Sequence, residues 1–251
     1  MGRGTLSRGR KGPPARRPIR ELVKRSTLAL LWLGAACACG SHAREARSGP
    51  DPAAAQAALA RIAAGPHDTA LLDLGDLGTI RIELLPELAP RTVAHFEMLA
   101  ERGVYDGTHF HRVIPGFMIQ GGDPLTKNLD PRDDGLGKTD DRVPDEFSAY
   151  PHLRGTVSLA NSGGPQSGGC QFFIVQADSR QLDGSYSAFG RVSQGMETVD
   201  AITRMEIDRY GRYGPRDRPY PKDAVIRSVR IDHASGGTTL QQPLAAASSP
   251  G

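Results

Sequence analysis

Cysteine is scarce in this chain of 251 residues: there are three. Cys37 and Cys39 lie near the N-terminus, which leaves Cys170 alone in the remainder. A lone thiol excludes a disulfide framework. Its context, "GGCQFFIV", reads as a strand entry, where cysteine behaves as a small buried apolar residue rather than a nucleophile. Long apolar runs are also lacking. Residues 28–36 are too few to cross a bilayer as a helix. A net positive charge is missing from most of the chain despite a formal total of +3. Residues 1–25 hold nine basic side chains and one acid, a net +8, so residues 26–251 carry −5. A domain near −5 offers no electrostatic footprint for nucleic acid, and no nucleic-acid partner is expected.

The usual hydrolytic and ligand-binding motifs are absent too. No G-x-S-x-G occurs, and Cys170 has no distinctive catalytic context. His109 and His111 form an H-x-H pair but lack a third ligand at convincing spacing, so no metal site is expected. "DPRDDG" places Asp130, Asp134 and Gly135 like a calcium loop, but Arg132 and Asp141 occupy positions that need other ligands. It reads as an acidic surface loop. "GLG" at 135–137 neither follows a strand nor opens a helix, which removes the phosphate-loop reading.

What is present begins with a leader. A basic segment runs into "STLALLWLGAACACGS", with a short apolar stretch and small residues at its end, the layout of a secretory signal. Gly34-Ala35-Ala36-Cys37 resembles a bacterial lipobox with Gly34 where leucine is usual, and Cys39 is a second lipidation candidate. Residues 1–40 thus read as a signal or lipoprotein-like leader, with plain secretion as the alternative. Residues 41–67 are rich in Ala, Pro and Arg and read as a linker, with a short helix over 53–64. Residues 235–251 are low in complexity and read as a disordered tail.

Between them, 68–234 read as one domain. Thirty glycines and nineteen prolines signal many turns, and 38% apolar residues allow a core. "TALLDLGDLGTIRIELL" holds two strands split by Gly75-Asp76 and Gly78. Further strands are expected over 110–119, 155–160, 171–176, 186–192 and 224–232. Pro90 suits a first helical turn and Gly103 the position after a helix end, with Val93, Phe96, Leu99 and Ala100 on the buried side. Residues 195–205 give a second helix with Met196, Val199 and Ile202 on one side. Two helices among seven or eight short strands favour an all-β fold, a closed or nearly closed barrel capped by helices.

One set of residues has no obvious core role. Phe117, Met118 and Phe173 can hold a small apolar ring. Arg112, Gln120, Asn161 and Gln171 can bind main-chain amides beside it. That combination suits an extended peptide containing proline. Rotation about an X–Pro bond faces a barrier of roughly 18–20 kcal/mol and needs neither nucleophile nor acid–base pair. At the twisted midpoint the prolyl nitrogen becomes a hydrogen-bond acceptor. An arginine, always charged, can donate to it more strongly there than in the planar states.

"YDGTHFHRVIPGFMIQGGD", "GTVSLANSG", "CQFFIV" and "LDGSYSAFGRV" resemble, in order, successive segments of the cyclophilin family, over about residues 69–232. The resemblance implies a closed eight-stranded antiparallel β-barrel capped by two α-helices, without cofactors, acting on prolines in polypeptides. By matching position Arg112 is the catalytic arginine, and Phe117, Met118 and Phe173 line the proline pocket. Gln120, Ala160, Asn161 and Gln171 hold the peptide backbone; Leu182 and Tyr186 complete the wall. Gln181 stands where many members carry a Trp that cyclosporin contacts at the pocket rim. Cys170 replaces a common Ser, and the loop 125–143 is longer than in compact members. The expected protein is a monomeric isomerase of the bacterial cell envelope that helps exported proteins fold. A groove-bearing holdase with little catalysis and an inert tethered scaffold are the competing classes, and retention of Arg112 favours the enzyme.

Overall fold

A computed structural model describes residues 66–234 except 165, 213 and 220–223. The leader with Cys37 and Cys39, the helix expected over 53–64 and the C-terminal tail lie outside the described residues.

Strand β1 (Thr69–Asp73) and β2 (Thr79–Leu84) form a hairpin around a 3-10 turn at Gly75–Leu77. Helix α1 (Pro90–Glu101) follows, then β3 (Thr108–His109), β4 (Arg112–Ile114) and β5 (Met118–Gly121). After a long loop come β6 (Thr156–Leu159), β7 (Phe172–Val175), β8 (Ser187–Gln194) and α2 (Met196–Thr203). The short strands β9 (Ile207–Asp208), β10 (Arg218–Pro219) and β11 (Val225–Ile226) precede the final strand, β12 (Ser228–Asp232).

Eight strands form one curled antiparallel sheet in the order β12-β1-β2-β8-β6-β7-β5-β4. The expectation of a closed barrel is overstated, because the end strands β4 and β12 do not pair in this sheet. The gap is bridged by β3 against β11 and by the Phe110 N–H donating to the Ala224 carbonyl at 2.9 Å. The physical reason is two interruptions. The chain leaves strand geometry at Phe110-His111 and again at Arg227, so only a two-residue register matches across the seam.

Inside the curl, α1 packs against β8 and β12, and α2 against β2, β4 and β5. Ile80, Ile82 and Leu84 of β2 bury fully, as do Phe172 and Ile174 of β7 and Phe189 of β8. Phe96, Leu99 and Ala100 of α1 and Val199 and Ile202 of α2 join the same core. Phe96 lies 5.0 Å from Tyr105, 5.6 Å from Phe172 and 5.1 Å from Phe189, separations at which aromatic pairs gain beyond area burial.

The helix ends follow local chemistry. Pro90 costs α1 nothing in its first turn, where an N–H would be unpaired. Its side-chain cap comes from far away: the Glu146 carboxylate accepts from the N–H groups of Arg91 (3.1 Å) and Thr92 (2.8 Å). Gly103 takes φ +67° just past the helix end, as expected of a position that disfavours a side chain.

Candidate active site

The single strand expected over 110–119 is in fact a hairpin. Pro115 and Gly116, the latter at φ +78°, turn the chain, and the Phe117 N–H donates to the Ile114 carbonyl at 3.0 Å. Proline followed by a glycine with positive φ is the pattern of a type II turn. The turn sets β4 against β5 with Arg112 opposite Gln120 and Ile114 opposite Met118. A two-residue period then sorts the side chains. Val113, Ile119, Phe172 and Ile174 join the main core, while Met118, Phe173 and Val175 form a separate cluster on the other face.

Over that second cluster opens a cavity of about 190 Å³. Its walls are Arg112, Phe117, Met118, Gln120, Ala160, Asn161, Phe173, Leu182 and Tyr186. Phe173 and Tyr186 meet edge to face at 5.2 Å. Gln171 lines an adjoining cavity of about 260 Å³, which shares Gln120, Ala160 and Asn161 with the first. Gln181 lines neither; it is exposed on the 3-10 turn Arg180–Leu182. A broad concavity near Leu129 and Arg212 contains none of the expected site residues.

Arg112 is exposed, and among the described residues no carboxylate pairs with it. Its Nη1 donates to Gln120 Oε1 at 3.5 Å, the long limit of a hydrogen bond. Gln120 Nε2 donates to Gln171 Oε1 at 2.8 Å. Gln171 Nε2 in turn donates to the carbonyls of Gly135 and Gly137, at 3.0 Å each. Those two residues belong to a loop held by the fully buried Asp123, whose carboxylate accepts from the N–H groups of Leu125 (2.8 Å), Gly135 (2.5 Å) and Gly137 (3.1 Å). A relay thus runs from a buried anion to the exposed guanidinium. The Gln171 amide is committed to it. Asn161 is likewise engaged, donating to the Ser185 carbonyl at 3.0 Å and accepting from the Gly163 N–H at 3.1 Å.

His111, beside Arg112, is 4% exposed. Burial lowers its pKa to about 4 against the pull of Asp123, so at neutral pH it adds no second charge next to the arginine. Cys170 is buried, and burial raises its thiol pKa, in keeping with packing rather than nucleophilic chemistry. The strand breaks after His109, and among the described residues no third metal-binding side chain joins the histidine pair. The loop at 130–135 differs from an acidic surface loop at one residue: Asp134 turns inward and pairs with buried Arg218 at 3.1 Å. Three further residues, His152, Ser158 and Asp183, are packed behind the cavity wall. Ser158 lies in "GTVSLANSG" and Asp183 in "LDGSYSAFGRV", but nothing local in the sequence marks His152.

The cavity lies on the face of the curled β-sheet opposite the main core, edged by an arginine and side-chain amides, and has room for a small apolar ring beside groups that can bond a main chain. The family model "Cyclophilin type peptidyl-prolyl cis-trans isomerase/CLD" matches residues 70–231, and the chain belongs to this family of peptidyl-prolyl cis–trans isomerases. It is 44% identical over 147 residues to a "Probable peptidyl-prolyl cis-trans isomerase" of Brucella suis, covering 57% of this chain and 74% of the relative. It is 39% identical over 160 residues to "Peptidyl-prolyl cis-trans isomerase-like 3" of Gallus gallus, covering 61% and 92%. A crystal structure of a cyclophilin-type isomerase from Cryptosporidium parvum superposes with a TM-score of 0.57 at 28% identity, covering 66% of this chain and 98% of that one. The same protein has been crystallised in the presence of the dipeptide Ala-Pro (TM-score 0.54).

Proposed function

We propose that this isomerase works through Arg112, with the prolyl ring seated on Phe117, Met118 and Phe173 and walled by Leu182 and Tyr186. The observation that carries this is the guanidinium: exposed at the cavity edge, paired with no described carboxylate, and within hydrogen-bond reach of Gln120. A carboxylate partner would compete for the donors that the twisted prolyl nitrogen needs. Arg112 stabilises the twisted state over both planar states, which is the differential binding that lowers a barrier. Gln120 aims the arginine, and Gln171 with the Gly135 and Gly137 carbonyls holds Gln120 in place. The test is exchange NMR or a protease-coupled assay on an X–Pro peptide. A hydrogen bond from a charged group contributes roughly 1.5–3 kcal/mol, so Arg112→Ala should lower kcat/KM about ten- to a hundredfold. A folded Arg112→Ala protein that isomerises at the wild-type rate would sink the mechanism.

The clients are exported polypeptides, and the enzyme is held in the bacterial envelope through a lipid on Cys37 or Cys39. Support comes from the leader: a basic segment, a short apolar run and a lipobox-like cysteine. Among the described residues no helix is long and apolar enough to cross a membrane. Changing both cysteines to serine should move the protein from the detergent phase to the soluble envelope fraction. Native protein already in that soluble fraction would leave simple secretion instead.

A further inference from the structure

Behind the cavity lies a Ser–His–Asp array. Ser158 Oγ is 3.0 Å from His152 Nε2, and His152 Nδ1 is 3.0 Å from Asp183 Oδ1. The order of the three is that of a hydrolase triad, but Ser158 has no exposed surface and His152 only 1%. A nucleophile that no substrate can reach does no chemistry, so another role must explain these buried polar groups.

Position supplies it. Ser158 is the cross-strand partner of Phe173, the cavity floor. Asp183 follows Leu182 in the turn that also leads to Tyr186, the cavity wall. His152 spans the two. Its ring stacks on Phe173 at 6.1 Å and 19° and meets Tyr186 edge-on at 6.3 Å and 74°. Its backbone N–H donates to Asp183 Oδ1 at 2.7 Å, and its carbonyl accepts from the Ser179 N–H at 2.8 Å. Arg180 holds the other Asp183 oxygen at 2.5 Å. A neutral imidazole with its proton on Nδ1 donates to Asp183 and accepts from the Ser158 hydroxyl, so every ring atom capable of bonding is used. Buried polar networks satisfied this fully rigidify their surroundings.

We propose that His152 is a positioning residue for the prolyl cavity, a peg that fixes the spacing between the Phe173 floor and the Leu182–Tyr186 wall. It rests on the cavity being the prolyl site. The floor and wall touch the proline ring in planar and twisted states alike, so loosening them weakens binding of both. The effect belongs in KM, whereas loss of Arg112 belongs in kcat.

The experiment is steady-state and exchange kinetics on an X–Pro peptide with the full chain, alongside circular dichroism. His152→Ala should raise KM about tenfold with kcat within about twofold. His152→Gln carries a donor and an acceptor in one side chain and should return most of the lost affinity. A folded His152→Ala protein with unchanged KM overturns the proposal, as does a loss confined to kcat or a Gln variant no better than Ala. Should His152→Ala not fold, Ser158→Ala deletes one of the two bonds and should raise KM about threefold; an unchanged KM there also overturns it. Failure of the site assignment itself would look different: Arg112→Ala would then leave isomerisation intact.

Discussion

Strand β7 feeds two apolar clusters, one on each face of the sheet, from neighbouring residues. Phe172 and Ile174 point inward to the Phe96–Tyr105–Phe189 core. Phe173 and Val175, one residue along, point outward with Met118 to the cavity floor. The inner cluster packs against two helices; the outer one is flanked by Phe117, Ala160, Leu182, Tyr186 and the His152 ring, with open cavity above Met118 and Phe173. Both are buried, so burial does not distinguish them. Enclosure does: a filled core contributes stability, whereas a floor with open space above it is available to a ligand.

The largest contrast is expected between the adjacent phenylalanines of β7. Phe172→Ala removes a fully buried ring from between three aromatic neighbours. It should cost about 3–5 kcal/mol and lower the melting temperature by roughly 10 °C or more. Phe173→Ala should melt closer to wild type and instead lose peptide binding. Equal melting shifts for the two would mean that the outer cluster is core as well.

Acidification probes the buried polar groups. His95, His111 and His152 all have pKa values held below the ordinary 6.5 by burial, against opposing hydrogen bonds or carboxylates. Below pH 6.5 the unfolded chain therefore binds more protons than the folded one, and stability falls as pH falls through the lowered values. His111, at about 4, contributes on the order of 3 kcal/mol to this loss. His67 and His233 oppose it. Burial works against the His67 charge, but hydrogen bonds to Glu87 and Glu83 raise its pKa; a bond to Asp68 raises that of His233. Their contribution is present below pH 6.5 and is lost as pH rises through the raised values. Denaturant melts between pH 7 and 4 should show net destabilisation on the acid side, and His111→Gln should flatten it. An acid-side slope that His111→Gln leaves unchanged would contradict the burial of that ring.

The smallest effect on turnover is expected at Gln181, which is exposed and outside the cavity. Gln181→Trp should leave X–Pro isomerisation nearly unchanged while tightening cyclosporin about ten- to a hundredfold, through an added aromatic face and N–H donor. Titration of both proteins decides it; equal affinities would place residue 181 away from the bound drug.

Much of the fold was legible because its signals are local. Pro90 and Gly103 bracket α1, Gly75 and Gly78 split β1 from β2, and the 3.6-residue spacing of Val93, Phe96 and Ala100 marks the buried side of the helix. The hairpin at 112–120 was harder to read, because its apolar residues run on past Pro115-Gly116 and mask the turn. The seam between β4 and β12 could not be read at all, since strand closure depends on registers summed around the whole sheet.

From the sequence alone Arg112, Phe117, Met118, Gln120, Asn161 and Phe173 stand out as one set, because their types suit a small apolar ring beside main-chain amides, and all six line one cavity, whereas Gln181 lies outside it. How they are held depends on contacts between distant segments of the chain. Gln120 and Gln171 are 51 residues apart, and Gln171 reaches carbonyls 34 and 36 residues before it. His152 meets an aspartate 31 residues later. Each of those hydrogen bonds joins segments brought together by packing, and no local pattern records a partner chosen across the sheet.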